Sequence, residues 1–147
     1  MKKVLIVGAG AIGSLIGVHL VRSGRYHVTF LARGLHYESM IKNGLKLHPL
    51  PHHTSTNNDT TTTKLDPIII HSSIDHCTFV SSLDTISDHP QDFIFLAVKQ
   101  HQLIPILDSL KPLIHSNSII IPLQNGVPWW FFQSYTFQKS LQNTPLH

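Results

Sequence analysis

Cysteine is nearly absent from this sequence: Cys77 is the single one among 147 residues. A lone cysteine excludes an internal disulfide, and such sparing use is typical of a reducing compartment, so we expect a cytoplasmic protein. Long apolar runs are lacking as well. No run approaches the roughly 18 to 20 residues that a membrane-spanning helix needs, and we therefore expect no membrane partner.

We expect no secretory signal at the N-terminus, although two lysines precede an apolar run in "MKKVLIVGAGAIG". Gly8, Gly10 and Gly13 interrupt that run, whereas a signal peptide needs a continuous apolar stretch. A strand followed by a glycine turn explains the same residues better.

Clustered charge is missing too. Eleven basic residues stand against eight acidic ones, giving a formal charge of +3, and the densest basic cluster is "KK" at the start. A nucleic-acid surface needs Lys and Arg gathered into a stripe, so we expect no nucleic-acid partner. The positive balance nevertheless suits an anionic ligand.

Histidine is abundant, with twelve in the chain, which raises the question of a metal site. The best candidates are His52 with His53, and His71 with His76 and Cys77. Neither group has the paired Cys-x-x-Cys or His-x3-His spacing that gathers ligands around zinc. We interpret the histidines as a compositional bias and expect no metal.

Hydrophobic residues make up 41% of the chain and the mean hydropathy is +0.06, which fits one globular domain over 1–147. The segment 51–67 differs, because it is rich in Thr, Asn and His and poor in large apolar side chains. It is expected to be a flexible, low-complexity surface insertion. A modification site or a partner site is the alternative interpretation.

Three continuous apolar stretches predict strands buried on both faces of a parallel sheet: "KKVLIVG", "QDFIFLAVK" and "NSIIIPLQN". "HVTFLAR" predicts another strand. Between them, "AGAIGSLIGVHLVRSG" predicts an amphipathic helix with four apolar side chains on one face, and "HQLIPILDSLKPLIH" predicts a helix broken at its prolines. The apolar side chains on the first helix are Ile12, Leu15, Ile16 and Leu20. This alternation indicates an α/β fold of the Rossmann type, a doubly wound, mainly parallel sheet with helices on both faces.

The first turn carries Gly8, Gly10 and Gly13 in the spacing G-x-G-x-x-G, after a strand and before a helix. In this context the spacing indicates a dinucleotide site. Gly8 permits a tight turn, Gly10 lets a pyrophosphate approach the backbone, and Gly13 lets the helix pack close to the strand. The helix N-terminus then offers free N–H groups to phosphate. Close helix packing without a ligand is the alternative.

Arg33 follows the second strand in "TFLARG", where an NAD site usually places an acid that binds the ribose 2′-OH. A carboxylate would repel a 2′-phosphate, while a guanidinium binds it with charge-assisted hydrogen bonds. The sequence therefore predicts NADP(H) rather than NAD(H). A solvated surface arginine is the alternative.

Lys99 follows "FIFLAV" and Asn125 follows "IIIPLQ", each at the predicted carboxyl end of a strand, where open α/β sheets bind ligands. Lys99 offers a cation and three donors, and Asn125 offers a donor and an acceptor. Either side chain suits a nicotinamide ribose or a substrate oxygen. A solvated strand end and a plain Asn-Gly turn are the alternatives.

Four motifs taken together, "VLIVGAGAIGS", "LAR", "LAVKQHQL" and "PLQNGVPWWFF", resemble the ketopantoate reductases (2-dehydropantoate 2-reductases) over the whole chain except the insertion. The resemblance implies an NADPH-dependent reduction of 2-dehydropantoate, a small 2-oxo acid, to pantoate on the route to pantothenate and coenzyme A. It also implies that Lys99 lies at the cofactor and that Asn125 contacts both cofactor and substrate, so both are candidate catalytic residues. The residues that it assigns to NADPH are Gly8, Ala9, Gly10, Ala11, Ile12, Gly13, Arg33, Lys99 and Asn125.

That family continues into a helical domain, which supplies a lysine as general acid and a glutamate for the substrate. Hydride transfer to a ketone builds negative charge on its oxygen, so a placed proton donor is needed. After Asn125 this sequence offers only Lys139, in a polar tail. We expect the family's helical domain to be absent and the chain to be the cofactor-binding part, inactive or nearly so alone.

The apolar "WWFFQSYTF" is expected to pack against such a domain or a dimer partner. The alternatives are a non-catalytic NADP-binding module and a related reductase of another 2-oxo acid or ketone, because fold alone does not choose a substrate.

Overall fold

The structure is a computed structural model that describes residues 1–49, 52–56, 59–63, 66–72 and 74–125, with the backbone alone for 52–56 and 59–63. It has nine strands and four α-helices in this part of the chain. In chain order they are β1 (Lys2–Val7), α1 (Ala11–Arg22), β2 (Tyr26–Leu31), α2 (Gly34–Asn43), β3 (Leu45–Leu47), β4 (His52–Thr56), β5 (Asp59–Thr63), β6 (Ile68–Ile70), β7 (Cys77–Val80), β8 (Phe93–Leu96), α3 (Gln100–Leu103), α4 (Leu107–Leu110) and β9 (Ile119–Pro122).

The central sheet has five parallel strands in the order β7-β2-β1-β8-β9. The chain starts at β1, moves outwards to β2 and β7, and then returns to the other side of β1 for β8 and β9. The point of reversal therefore lies between β1 and β8, and ligands bind at such a point in doubly wound sheets. The predicted fold class is confirmed.

Each face of the sheet has its own core. On one face α1, α2 and the small antiparallel pair β3–β6 bury Phe30, Val18 and Met40. On the other face α3, α4 and the 3-10 turns Leu83–Ile86, Ile104–Ile106 and Lys111–Leu113 bury Leu5, Ile94, Leu103 and Leu113 with their neighbours.

Helix α1 packs on the sheet through a face that coincides only in part with the predicted apolar one. Ile12 and Leu15 are exposed, at 53% and 43%, while Gly13 and Gly17 are buried. A Cβ at Gly17 would collide with the ring of Phe30. The start of the helix lies too close to the strands for large side chains, so Ile12 and Leu15 point outwards, while further along Val18 and Val21 are buried and Leu20 packs against the core.

The last predicted strand is also less buried than expected. β9 is the edge strand next to β8, and Ile119 and Ile120 are 52% and 45% exposed. The other predicted apolar strand, Gln91–Lys99, is shorter in the structure, where β8 spans Phe93–Leu96. The predicted helix interruptions are confirmed, because Pro105 and Pro112 each lie in a 3-10 turn.

In the predicted insertion 51–67, the described backbone of β4 pairs antiparallel with that of β5. Its flexibility stays a prediction. The aromatic run from Trp129 to Phe132, the turn residue Gly126 and Lys139 lie outside the described residues. No helix in the described ranges is long and apolar enough to cross a membrane. Within the same ranges, no cluster of three potential metal ligands occurs.

Candidate cofactor crevice

The glycine turn between β1 and α1 is fixed to the end of β2. The backbone N–H groups of Gly8 and Ala9 both donate to the carbonyl oxygen of Leu31, over 3.2 and 3.1 Å. Gly8 has φ of +102°, a conformation that suits glycine, and a Cβ there would lie 2.8 Å from Val98 Cγ1. The turn is therefore held rigidly at the point where the strand order reverses.

Helix α1 begins directly after this turn. Its N-cap residue is Gly10, and no side chain caps it. The first N–H groups of a helix have no partner within the helix, so they attract anions together with the helix dipole. A Cβ at Gly10 would meet nothing within 4 Å, whereas one at Gly13 would collide with the carbonyl oxygen of Gly8. Gly10 thus borders open space, whereas Gly13 packs directly against the backbone of the glycine turn.

Two adjoining clefts open here. The first cleft, of about 220 Å³, is lined by Gly8, Ala9, Gly10, Arg33, His36 and Gln102 among others. The second cleft, of about 300 Å³, is lined by Gly10, Ala11, Ile12, Lys99, Gln124 and Asn125 among others. Gly10 and Val98 line both clefts, and together the clefts form what we call the crevice.

The structure therefore brings every predicted site residue except Gly13 to the crevice lining. Arg33 is the N-cap residue of α2 and Lys99 is the N-cap residue of α3, and both are exposed. Among the described residues, no acidic side chain lines either cleft. The crevice thus has a cation at each end and helix N-termini along its wall, which suits an extended anionic ligand.

Lys99 and Asn125 lie in loops rather than at the strand ends predicted for them. β8 ends at Leu96 and β9 ends at Pro122, each three residues earlier. Hydrogen bonds brace both loops. The Lys99 N–H donates to Gln102 Oε1 over 3.2 Å, and Gln124 Nε2 donates to the Val98 carbonyl over 2.8 Å.

Sequence reasoning missed two residues that act on the glycine turn. His36 Nε2 lies 2.8 Å from the carbonyl oxygen of Ala9, and the hydroxyl of the buried Ser14 donates to the same oxygen over 2.9 Å. The carbonyl can only accept, so the His36 ring donates from Nε2. The position of His36, three residues after Arg33 in the first turn of α2, was the available signal.

A family profile described as "Ketopantoate reductase PanE/ApbA" matches residues 4–128. This match covers most of the chain, including the turn, both clefts and Asn125. The chain belongs to the ketopantoate reductase family.

Two curated ketopantoate reductases resemble this member closely enough to compare. The 2-dehydropantoate 2-reductase of Mesorhizobium japonicum is 32% identical over 130 residues, covering 88% of this chain and 33% of that protein. The enzyme of the same name from Pyrococcus horikoshii is 30% identical over 125 residues, covering 85% and 33%. The chain thus spans about a third of the length of these relatives.

A solved structure gives the same result at the level of the fold. The 2-dehydropantoate 2-reductase of Geobacter metallireducens superposes with a TM-score of 0.58 at 25% identity, covering 92% of this chain and 38% of that one. The described sheet and helices therefore correspond to one part of a larger ketopantoate reductase fold.

Proposed function

We propose that this chain is the cofactor-binding part of an NADPH-dependent reductase that converts 2-dehydropantoate to pantoate. The observation that carries the proposal is the crevice. In a chain of this family, it joins an uncapped helix N-terminus and Arg33 at one end to Lys99 and Asn125 at the other.

The residues present fit such a cofactor. The open space at Gly10 and the free N–H groups at the start of α1 would hold the pyrophosphate. The Arg33 guanidinium would bind the 2′-phosphate, and no carboxylate among the described lining residues opposes it. When bound, NADPH supplies the hydride that reduces the ketone.

Lys99 and Asn125 would act at the other end of the crevice. Both line the second cleft, where a substrate carbonyl could reach the Asn125 amide and the Lys99 ammonium. Donors placed around the carbonyl oxygen stabilise the negative charge that develops there during reduction. Bracing of both loops by Gln102 and Gln124 keeps those donors in position.

A domain replacement tests the proposal. In the Mesorhizobium japonicum reductase, the matched third of the sequence is exchanged for this chain, and NADPH oxidation with 2-dehydropantoate is followed. We expect the hybrid to turn over and Lys99→Ala or Asn125→Ala to lower kcat/KM by about 10²-fold or more, the effect typical of losing one oxyanion donor.

The 147-residue chain alone is the control, with expected NADPH binding but little or no turnover. A folded hybrid that binds NADPH without reducing 2-dehydropantoate would favour a non-catalytic NADP-binding module. Faster reduction of 2-oxoisovalerate than of 2-dehydropantoate would instead indicate a reductase for another 2-oxo acid.

A further inference from the structure

The apolar stripe of α1 overlooks a part of the sheet that the described elements cover only in part. Ile12, Ile16 and Leu20 are spaced four residues apart, so they form a row along one flank of the helix. Ile12 lines the second cleft together with Ala97 and Leu123, which follow β8 and β9. This flank of α1 therefore faces β8 and β9 rather than the strands beneath the helix.

Strands β8 and β9 present an apolar surface to this flank. Phe93 pairs in register with Ile119 and Phe95 pairs with Ile121, and both phenylalanines pack against the core beneath α1, so the four side chains share its face. Both phenylalanines are only partly buried, and Ile119 is 52% exposed. On the other face Ile94 of β8 is fully buried. The covering of the sheet thus stops earlier on the α1 face.

We call this surface the uncovered face, and it consists of Ile12, Ile16, Phe95, Ile119 and Ile121. Its border towards the amino ends of the strands is Lys2, whose ammonium lies 5.3 Å from the centre of the Phe93 ring. Contiguous exposed apolar surface usually marks a contact with another segment or a partner. An occupant that is apolar and uncharged therefore fits the uncovered face.

The chain supplies such an occupant directly after its last described residue. That residue is Asn125, which lines the second cleft with Ile12, at one end of the uncovered face. Residues 127–137 follow with the sequence "VPWWFFQSYTF", which contains six aromatic side chains and no charged one. The segment thus begins beside the uncovered face and matches its chemistry.

The length of this segment is also sufficient. Strand β9 has four residues, which corresponds to about 13 Å at roughly 3.3 Å per residue. Eleven residues span about 16 Å as a helix and up to about 36 Å when extended. In either conformation the segment reaches along the whole of β9.

We propose that residues 127–137 fold back over the uncovered face, with their aromatic side chains against Ile119, Ile121 and the flank of α1. This packing removes apolar area from water on both surfaces, which favours the contact. It also gives the apolar stripe of α1 a role, because the described core leaves Ile12 exposed. The competing occupants are a second copy of the chain and the remainder of a longer ketopantoate reductase.

Tryptophan fluorescence of the 147-residue chain tests the proposal. The two tryptophans of the chain, Trp129 and Trp130, both lie in the proposed segment, so their emission reports on it alone. We expect emission that is blue-shifted and weakly quenched by acrylamide compared with the chain in urea, and unchanged on dilution. In a sample with labelled isoleucine methyl groups, we expect nuclear Overhauser effects from the indole rings to Ile119 and Ile121, and none to Ile120.

Ile119→Thr tests the contact, and Ile120→Thr is its matched control. Both isoleucines are about half exposed on the same strand, but Ile120 pairs with Ile94 and so belongs to the other face. Threonine keeps the β-branch, so the change in strand propensity is alike at both positions. Ile119→Thr should lower the ratio of covered to uncovered segment about five- to tenfold, since it loses part of an apolar side chain, and Ile120→Thr should change it less than about twofold.

Three results would overturn the proposal. Equal emission from the folded chain and the chain in urea would leave the uncovered face for the remainder of a longer reductase. A blue shift that appears only as the protein concentration rises, together with dimers in sedimentation, would assign the face to a second copy. Equal effects of Ile119→Thr and Ile120→Thr, with far-ultraviolet circular dichroism unchanged, would place the tryptophans elsewhere.

Discussion

At the scale of single residues, Arg33 is the side chain that we propose distinguishes NADPH from NADH. It is exposed at the first cleft, where no acidic side chain among the described residues competes for it. We expect Arg33→Ala to weaken NADPH binding by about 10- to 100-fold, as the loss of a charge-assisted bidentate contact would, and to change NADH binding by less than about threefold. Titration of both cofactors by fluorescence measures this.

The matched control for that experiment is Arg25→Ala, because Arg25 is an exposed arginine that lines neither cleft. Equal affinities of the unsubstituted chain for NADPH and NADH would contradict the assignment of Arg33 to the 2′-phosphate.

The Ala9 carbonyl joins three segments of the chain, since His36 and Ser14 both donate to it. Removing one donor loosens the glycine turn without touching the 2′-phosphate. His36→Ala is therefore expected to weaken NADPH and NADH binding by the same factor, about three- to tenfold for one hydrogen bond. His36→Gln, which can donate from its amide, should restore part of the loss.

Measuring both cofactors distinguishes this prediction from that for Arg33, because Arg33→Ala should weaken mainly NADPH binding while His36→Ala should weaken both equally. A loss for His36→Ala that is confined to NADPH would mean that the ring contacts the 2′-phosphate itself. Unchanged binding of both cofactors would show that the Ser14 hydroxyl alone is enough to hold the Ala9 carbonyl.

At the scale of elements, Gly17 sets how closely α1 approaches the sheet. Alanine normally stabilises a helix relative to glycine by about 1 kcal/mol. Here the added methyl group would collide with the buried Phe30 ring, so we expect Gly17→Ala to destabilise the fold by about 1–3 kcal/mol despite the better propensity. Urea unfolding measures the difference.

His19→Ala on the same helix is the control, because His19 is exposed and the change to alanine raises helix propensity, by less than Gly→Ala does, without a collision. A Gly17→Ala variant at least as stable as the unsubstituted chain would show that α1 can shift away from the sheet.

The limits of sequence reasoning are clearest in these same elements. The motif spacing predicted the turn, the helix and the sheet, because glycine spacing and apolar runs are local signals. The packing face of α1 was not predictable in this way. Apolar side chains usually mark the buried face, but here the close approach of helix and sheet at Gly13 and Gly17 leaves Ile12 and Leu15 exposed.

The positions of Lys99 and Asn125 were likewise predictable only in part. Both were predicted at the carboxyl ends of strands, and both line the second cleft, although each lies three residues beyond the observed end of its strand. The actual strand ends depend on backbone pairing with neighbours that are distant in sequence, so the loops that carry these residues could not be read from the apolar runs. His36 was missed because its partner is a backbone carbonyl, which leaves its position three residues after Arg33 as the available sequence signal.

At the scale of the whole molecule, stability should depend on pH through His27. Burial, and secondarily the positive charges of His76 and Lys3, lower the pKa of His27 below its ordinary value of 6.5. In the unfolded chain the same ring takes up a proton more readily, so the unfolded state binds more protons as the pH falls past that value. The stabilisation is therefore present above pH 6.5 and is lost on acidification.

Melting temperatures measured from neutral pH down to about pH 5, the range in which histidine titrates, check this prediction. We expect the melting temperature of His27→Gln to fall less steeply as the pH is lowered, because glutamine does not titrate. His101→Gln should leave it unchanged, since His101 is exposed on α3. Parallel pH profiles for the unsubstituted chain and His27→Gln would contradict the prediction.

The crevice is assembled from two stretches of chain that are far apart in sequence. Residues 8–36 supply Arg33 and residues 97–125 supply Lys99 and Asn125, although each stretch also lines part of the other cleft. The proposed determinant of cofactor preference therefore lies in a different segment from the proposed carbonyl-binding residues. Under the proposed function, substitutions in residues 31–36 could change cofactor preference while Lys99 and Asn125 stay unchanged.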